Sequence, residues 1–307
     1  MRGVLDATWA RLAPAEKQAF AVLSLFRGGF TRAAALAVTG MSIRILVALH
    51  SKSLVRHEDL RYSIHELLRQ FGATKLFESG DQVSVETAYA EHILGWLASR
   101  EPALMDMKMG TVAEIDPDFE NLRQAWSVAV ERKRFDLIDA CLRGLMQYCK
   151  LRGRMPDAHA LLTKAITGTS PSHSRARLFA QRAHANEVIG GFGQEVEDTR
   201  SALDSPNAIW SAHETVWLMN RQGYALRRMG QFSTALAVFE SALAICRRAG
   251  DAHSEAETLS HQGMIYWTFG EFDDARRLME EALSIVRRNG YSDRVAAQAA
   301  YGLAQTY

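Results

Sequence analysis

Cysteine and proline are scarce in this chain, and net charge is nearly absent. Three cysteines, Cys141, Cys149 and Cys246, are spread over 307 residues, and no two form a C-x-x-C pair. That excludes a disulfide framework and a thiolate zinc site, and reads as reduced core thiols in a cytosolic protein. Six prolines leave long stretches of Ala, Leu, Arg and Glu uninterrupted, which predicts an almost wholly helical chain. A formal net charge of +1 gives no global pull toward nucleic acid or an anionic membrane. No apolar run is long enough to span a bilayer. No G-x-x-x-x-G-K-S/T string occurs, so the common phosphate-cradling loop is missing.

What is present is a repeat. Gly223-Tyr224-Ala225-Leu226, Gly230-Gln231-Phe232, Ala235, Phe239 and Ala242 recur 40 residues later. The second copy is Gly263-Met264-Ile265-Tyr266, Gly270-Glu271-Phe272, Ala275, Met279 and Ala282. Ala183, Gly190, Phe192 and Ala202 make a weaker copy before them. A fixed period of this size marks a stack of one helical unit. Small residues at Gly223 and Ala235 let two antiparallel helices approach closely. Gly230 and Gly270 fall where a first helix must stop, and glycine accepts the left-handed cap. Phe232 and Phe272 are expected to fold back over the helix ends, with Phe239 and Met279 filling the space between helices. The pattern resembles the tetratricopeptide repeat in an elongated form, a scaffold for many kinds of partner.

Upstream, Pro14-Ala15-Glu16 opens a helix, Arg27-Gly28-Gly29-Phe30 stops it, and Thr31 caps the next helix through Val38. Ser42 can cap a third through His50. Leu54-Val55-Arg56 and Tyr62-Ser63-Ile64 read as two short strands joined at Glu58-Asp59, and a helix restarts at His65-Glu66. Three helices, a two-stranded wing and a closing helix predict a winged-helix domain over 1–80. A helical linker follows over 81–134, and repeats run over 135–307. Gly153 aligns with Gly190 in an irregular first repeat, and Gly168 to Ser174 is the loosest connection, with no boundary placed there. The fold class expected is all-α: a small winged-helix domain, then a right-handed α-α superhelix of tetratricopeptide-like repeats.

Three blocks carry a wider resemblance: Leu25-Phe26-Arg27-Gly28-Gly29-Phe30-Thr31, Leu49-His50-Ser51-Lys52-Ser53-Leu54-Val55, and Tyr62 through Phe71. Asp118-Phe119-Glu120-Asn121-Leu122-Arg123-Gln124-Ala125-Trp126 and Leu151-Arg152-Gly153-Arg154 extend it. In this order they resemble the segment after the nucleotide-binding domain in bacterial signal-transducing ATPases with numerous domains (STAND). That class includes large LuxR-type and antibiotic-regulatory transcriptional activators. The resemblance implies a non-catalytic sensor region, in which the repeats bind an inducer or partner and the winged helix docks on a nucleotide-binding domain. The missing phosphate loop departs from that family and suggests part of a larger regulator. Ala304 and Tyr307 would open a fourth repeat without its second helix, so this end is expected to fray or self-associate.

Candidate chemistry is sparse. His65-Glu66 lacks the second histidine of a zinc-protease helix, because position 69 is arginine. Gly190-Gly191-Phe192-Gly193 has no adjacent lysine and suits an inter-helix turn. Met105, Met107 and Met109 read as a link packed on a neighbour. No nucleophile, base and orienting group stand in a recognisable arrangement, so neither enzyme activity nor a cofactor is expected. If the winged helix met DNA, Arg44, Lys52, Arg56, His57 and Arg61 would make the contacts. The third helix is poor in groove-reading side chains, and Glu58 and Asp59 would repel phosphate. The rival reading is therefore a self-contained DNA-binding factor with a repeat dimerisation domain. Binding is expected on the first helices of the repeats, at positions six and three before each small residue and one and four after it. These are Arg177, Ala180, His184 and Glu187; Trp217, Asn220, Tyr224 and Arg227; and Glu257, Ser260, Met264 and Trp267. Aromatics beside Arg177, Asn220 and Arg227 suit a peptide, or a ligand with an acidic group. The alternative is that these aromatics are buried between repeats.

Overall fold

Pro14 and Glu16 start the first well-formed stretch of helix as the sequence suggests, with the Ala13 amide donating to Glu16 Oε2 at 2.8 Å. The computed structural model describes residues 2–170, 172–290 and 294–304. Packing divides the chain into two compact units, with the boundary between Thr169 and Ser170. That boundary lies in the loose 168–174 connection, where the sequence reading set none. The helices of 81–134 and 135–168 fall within the first unit.

In the first unit, α1 (Arg2–Ala10) lays Trp9 against Phe20 and Phe71, at ring distances of 6.3 and 5.8 Å. Then come α2 (Pro14–Leu23), β1 (Phe30–Thr31), α3 (Arg32–Thr39), α4 (Ile43–Ser51), β2 (Arg56–Glu58), β3 (Arg61–Ser63) and α5 (Glu66–Ser79). Thr31 caps α3 by accepting from the Ala34 amide at 3.1 Å, and Gly40 ends it at φ +65°. The strands form one antiparallel sheet in the order β1-β3-β2. The expected two-stranded ribbon thus gains a third strand from the Phe30 stop. Tyr62 lies opposite both Phe30 and His57, and its ring stacks on theirs at 6.0 and 4.3 Å. Leu54 and Val55, expected in a strand, are buried in the core ahead of β2.

The first unit continues with α6 (Gln82–Met105), α7 (Met109–Ile115), a 3-10 turn at Asp116–Asp118, α8 (Phe119–Glu131), α9 (Phe135–Leu151) and α10 (Met155–Gly168). Trp126 is buried and donates from Nε1 to the Leu161 carbonyl at 2.9 Å, joining α8 to α10. Gly153 makes the expected left-handed turn at φ +67°, but α9 packs on α6. Met105, Met107 and Met109 are 36%, 65% and 56% exposed, so this run is not packed on a neighbour as expected.

The second unit is the repeat stack: α11 (His173–Ile189), α12 (Phe192–Leu203), α13 (Ala212–Arg228), α14 (Phe232–Ala249), α15 (Ala252–Thr268), α16 (Phe272–Asn289) and α17 (Arg294–Ala304). Gly190, Gly230 and Gly270 take φ of +82°, +75° and +78° at the three turns, as their spacing predicts. Ala235, Phe239, Ala242, Ala275, Met279 and Ala282 are completely buried. Phe232 packs half-buried on the cluster that holds Ala225 and Leu226 of the preceding helix end, and also meets Phe269 of the next repeat edge-on at 5.1 Å. Phe272 does not fold back in the same way and stays 48% exposed. The expected match at Tyr307 lies outside the described residues.

Candidate functional site

The first helices of successive repeats pack side by side, α11 on α13 and α13 on α15. Every fourth or third residue of α13 therefore faces the same way as its counterpart on α15. Between them lies a cavity of about 240 Å³ lined by ten residues. Seven were expected from the repeat register: Glu187, Trp217, Asn220, Tyr224, Arg227, Glu257 and Met264. Arg221, His261 and Tyr301 were not anticipated. Arg221 and His261 both stand two residues before the small residue of their repeat, a register the sequence reading did not single out.

The other expected residues fall elsewhere. Arg177 and Trp267 are half-buried outside the lining. His184 meets the Trp217 ring edge-on at 6.3 Å. The position three before the small residue turns inward: Ala180, Asn220 and Ser260 are all buried. Asn220 sits at the cavity floor, where Oδ1 accepts from Thr258 Oγ1 at 2.9 Å and Nδ2 donates to Glu257 Oε2 at 3.4 Å.

The polar lining differs residue by residue in how far it is satisfied. Arg221 donates to Glu187 across α11 and α13, and its guanidinium lies 4.5 Å from the Trp217 ring centre. His261 stacks on Phe239 at 5.4 Å and stands 5.9 Å from Tyr224. Arg227 is the exception. Its guanidinium lies over Tyr224 at 5.2 Å, its Nε is buried without a hydrogen-bond partner, and it makes no ion pair among the described residues. Burial pushes its pKa below the ordinary arginine value. A partly desolvated cation held on an aromatic face and facing a cavity is ready to donate to an anionic group.

The residues proposed for DNA contact do not form a comparable surface. Lys52 holds both oxygens of Glu16, at 2.6 and 2.7 Å. Arg61 binds Asp118 through two bonds of 2.8 and 2.9 Å. Arg44 and Arg56 are exposed, but α4 also presents Ile43 and Val47 to solvent. His65 caps α5, with Nδ1 accepting from the Leu67 amide at 3.3 Å. Among the described residues, no cluster of His, Cys, Asp and Glu could hold a metal.

His213, Asp251 and Ser254 come together in a grouping that invites a hydrolase reading. However, His213 Nδ1 and Ser254 Oγ both bond Asp251 Oδ2, at 2.8 and 2.7 Å, and Ser254 is buried. A nucleophile would need a histidine nitrogen of its own, with the carboxylate on the other side of the ring. Here Asp251 caps α15 and ties it to α13.

Residues 214–288 match the family model described as tetratricopeptide repeat. A comparison with curated proteins gives no match. Among solved structures, a Signal Transduction ATPase with Numerous Domains (STAND) protein with a tetratricopeptide repeat sensor, PH0952 from Pyrococcus horikoshii, aligns over 97% of this chain at 15% identity and TM-score 0.42. The chain spans 48% of that protein's length. RapI in its apo form aligns over 71% of this chain and 70% of its own at 12% identity and TM-score 0.48. BtubC from P. vanneervenii covers 71% of this chain and 83% of its own at 17% identity and TM-score 0.46. Residues 214–288 therefore carry tetratricopeptide repeats. No single described helix is long and apolar enough to cross a membrane.

Proposed function

We propose that this chain is a non-catalytic sensor and interaction region of a STAND-type ATPase transcriptional regulator. Its repeats bind an inducer or partner peptide carrying an acidic group. The first unit's strand-and-helix segment, read as a winged helix, passes that state to a nucleotide-binding domain in the same regulator. The observation that carries this reading is Arg227, a half-buried guanidinium with an unpartnered Nε and no ion pair among the described residues, in a cavity walled by Trp217, Tyr224 and Met264. A cavity of about 240 Å³ is smaller than the usual site for a drug-sized ligand, and suits one or two side chains of a peptide. Direct DNA binding is disfavoured, because Lys52 and Arg61 already hold carboxylates within the first unit.

The test is a binding screen of the purified chain against acetylated peptides that pair one aromatic or aliphatic residue with Asp, Glu or a free C-terminus. Acidic peptides should bind, and Arg227→Ala should weaken them by at least about tenfold, the scale of one charge-assisted hydrogen bond. Equal binding of neutral peptides, or indifference to Arg227→Ala, overturns the reading. Tight magnesium-dependent ATP binding by this chain overturns its non-catalytic part.

A further inference from the structure

Glu195 on α12 is completely buried, and neither of its carboxylate oxygens accepts a hydrogen bond. An ionised carboxylate in that condition is costly, since nothing replaces the water it has lost. The closest cation is Arg221, whose Nη1 lies 3.8 Å from Oε1. Arg221 is bonded instead to Glu187, on the cavity side, while its own Nε has no partner.

α12 packs against α11 and α13, and the charged groups facing Glu195 come from all three helices. These are Glu187 from α11, Arg221 from α13 and Asp198 on α12 itself. Asp198 is already matched. Arg182 reaches it through bonds of 2.8 and 2.7 Å, with Asn186 at 3.1 Å and Gln194 at 3.0 Å. Two carboxylates, Glu187 and Glu195, are therefore left with one guanidinium between them. Burial, and the nearby charges of Glu187 and Asp198, push the Glu195 pKa up to about 8 against the pull of Arg221. At neutral pH its proton takes the place of a second cation.

We propose that Arg221 is a proton-linked gate on the groove. With Glu195 protonated it stays on Glu187, and when Glu195 loses its proton to solvent it moves to Glu195 and leaves Glu187 bare in the cavity. Glu187 lines the same cavity as Arg227. Matched, it leaves Arg227 free to meet an arriving anion, with Glu257 held by Asn220 across the cavity. Bare, it opposes an arriving anion. This step rests on the reading that the groove takes an acidic group, but the motion of Arg221 is independent of any ligand.

Arg221 stacks on Trp217, so its departure should alter Trp217 emission. The first experiment titrates the full chain from about pH 6 to about pH 9.5 and subtracts the same titration of Trp217→Phe. A single transition near pH 8 is expected. It should vanish in Glu195→Gln, which is uncharged and of the same shape. In Glu187→Gln it should move to lower pH, because Arg221 then has only Glu195 to pair with. No transition in the wild type, or one that survives in Glu195→Gln, overturns the gate.

The second experiment uses the probe acetyl-Leu-Phe-Asp-Glu. Its affinity should fall on the order of tenfold between about pH 6.5 and about pH 9, an ordinary coupling strength, and stay level in Glu195→Gln. Level affinity in the wild type counts against the gate. If the probe fails to bind at every pH, the proposed ligand class fails, and the Trp217 titration still decides the gate.

Discussion

Gly223 and Gly263 occupy the same place in successive repeats, yet their neighbours differ in stiffness. A Cβ on Gly223 would lie 2.4 Å from Cε1 and 2.5 Å from Cζ of the buried Phe239 ring. A Cβ on Gly263 would lie 2.8 Å from the terminal methyl of Met279. A locked ring cannot yield, while a thioether can rotate its end away and leave the Ala275 carbonyl oxygen, at 3.3 Å, as the remaining tight backbone contact. Gly223→Ala should therefore cost about 2–3 kcal/mol and Gly263→Ala under about 1 kcal/mol, read from urea unfolding of the two variants. Equal costs would show that the seam relaxes as a whole. Glu195 makes a second claim at this scale. Its folded pKa lies at about 8, above the ordinary value of 4.5, so the folded state holds a proton that the unfolded chain releases. Stability from this group is complete below about pH 4.5 and is lost as pH rises to about 8. Glu195→Gln should remove that decline, worth on the order of a few kcal/mol, from the pH profile of the unfolding midpoint. A variant profile that still falls in parallel with the wild type would assign the decline elsewhere.

Among the elements, the Arg27-Gly28-Gly29 turn shows why two distant sequence blocks belong together. Asn121 on α8 is fully buried and reaches into that turn. Its Oδ1 accepts from the Arg27 amide at 2.8 Å, and its Nδ2 donates to the Gly29 carbonyl at 2.8 Å and to Asp118 Oδ1 at 2.7 Å. Asp118 in turn holds Arg61 of β3. Gly29 sits at φ +77°, and a Cβ there would lie 2.7 Å from the Tyr62 carbonyl. One side chain thus fixes the turn between α2 and β1 against the sheet. Asn121→Ala should destabilise the first unit by about 1–3 kcal/mol, because it removes the partners of a part-buried amide and carbonyl and leaves a cavity where a fully buried side chain stood. A loss below about 1 kcal/mol, measured by thermal unfolding, would mean that water fills the vacancy. The sequence marked both blocks by their order, but nothing in residue spacing says that Asn121 meets Gly29. Such a contact depends on the path of the helices between them. Spacing was informative where the structure is periodic: the small residues, the left-handed glycines and seven cavity residues all follow a 40-residue register. It failed at Arg221 and His261, which reach the cavity from a register it did not single out. It also failed where an extended dipeptide finds a partner far along the chain, as Phe30 does opposite Tyr62.

For the whole molecule, the boundary between Thr169 and Ser170 sets what can act alone. A stacked repeat array is stabilised by contacts between neighbours, so its stability is a sum along the stack and needs no partner from elsewhere in the chain. Every residue that lines the groove cavity lies in the second unit, and so do Glu195, Asp198 and Arg182 behind it. The segment 168–174 carries Pro171 and spans the boundary between the units. Limited proteolysis should cut there first and leave two resistant fragments, since cleavage follows local opening. The fragment beginning near Ser170 should keep its helical signal and its cooperative unfolding. It should bind the acidic peptides with an affinity within about threefold of the full chain, a difference below about 0.7 kcal/mol. Binding that collapses in a folded fragment would place part of the site outside the groove. A fragment that loses its helices on cleavage would show that the repeats need the first unit to stand.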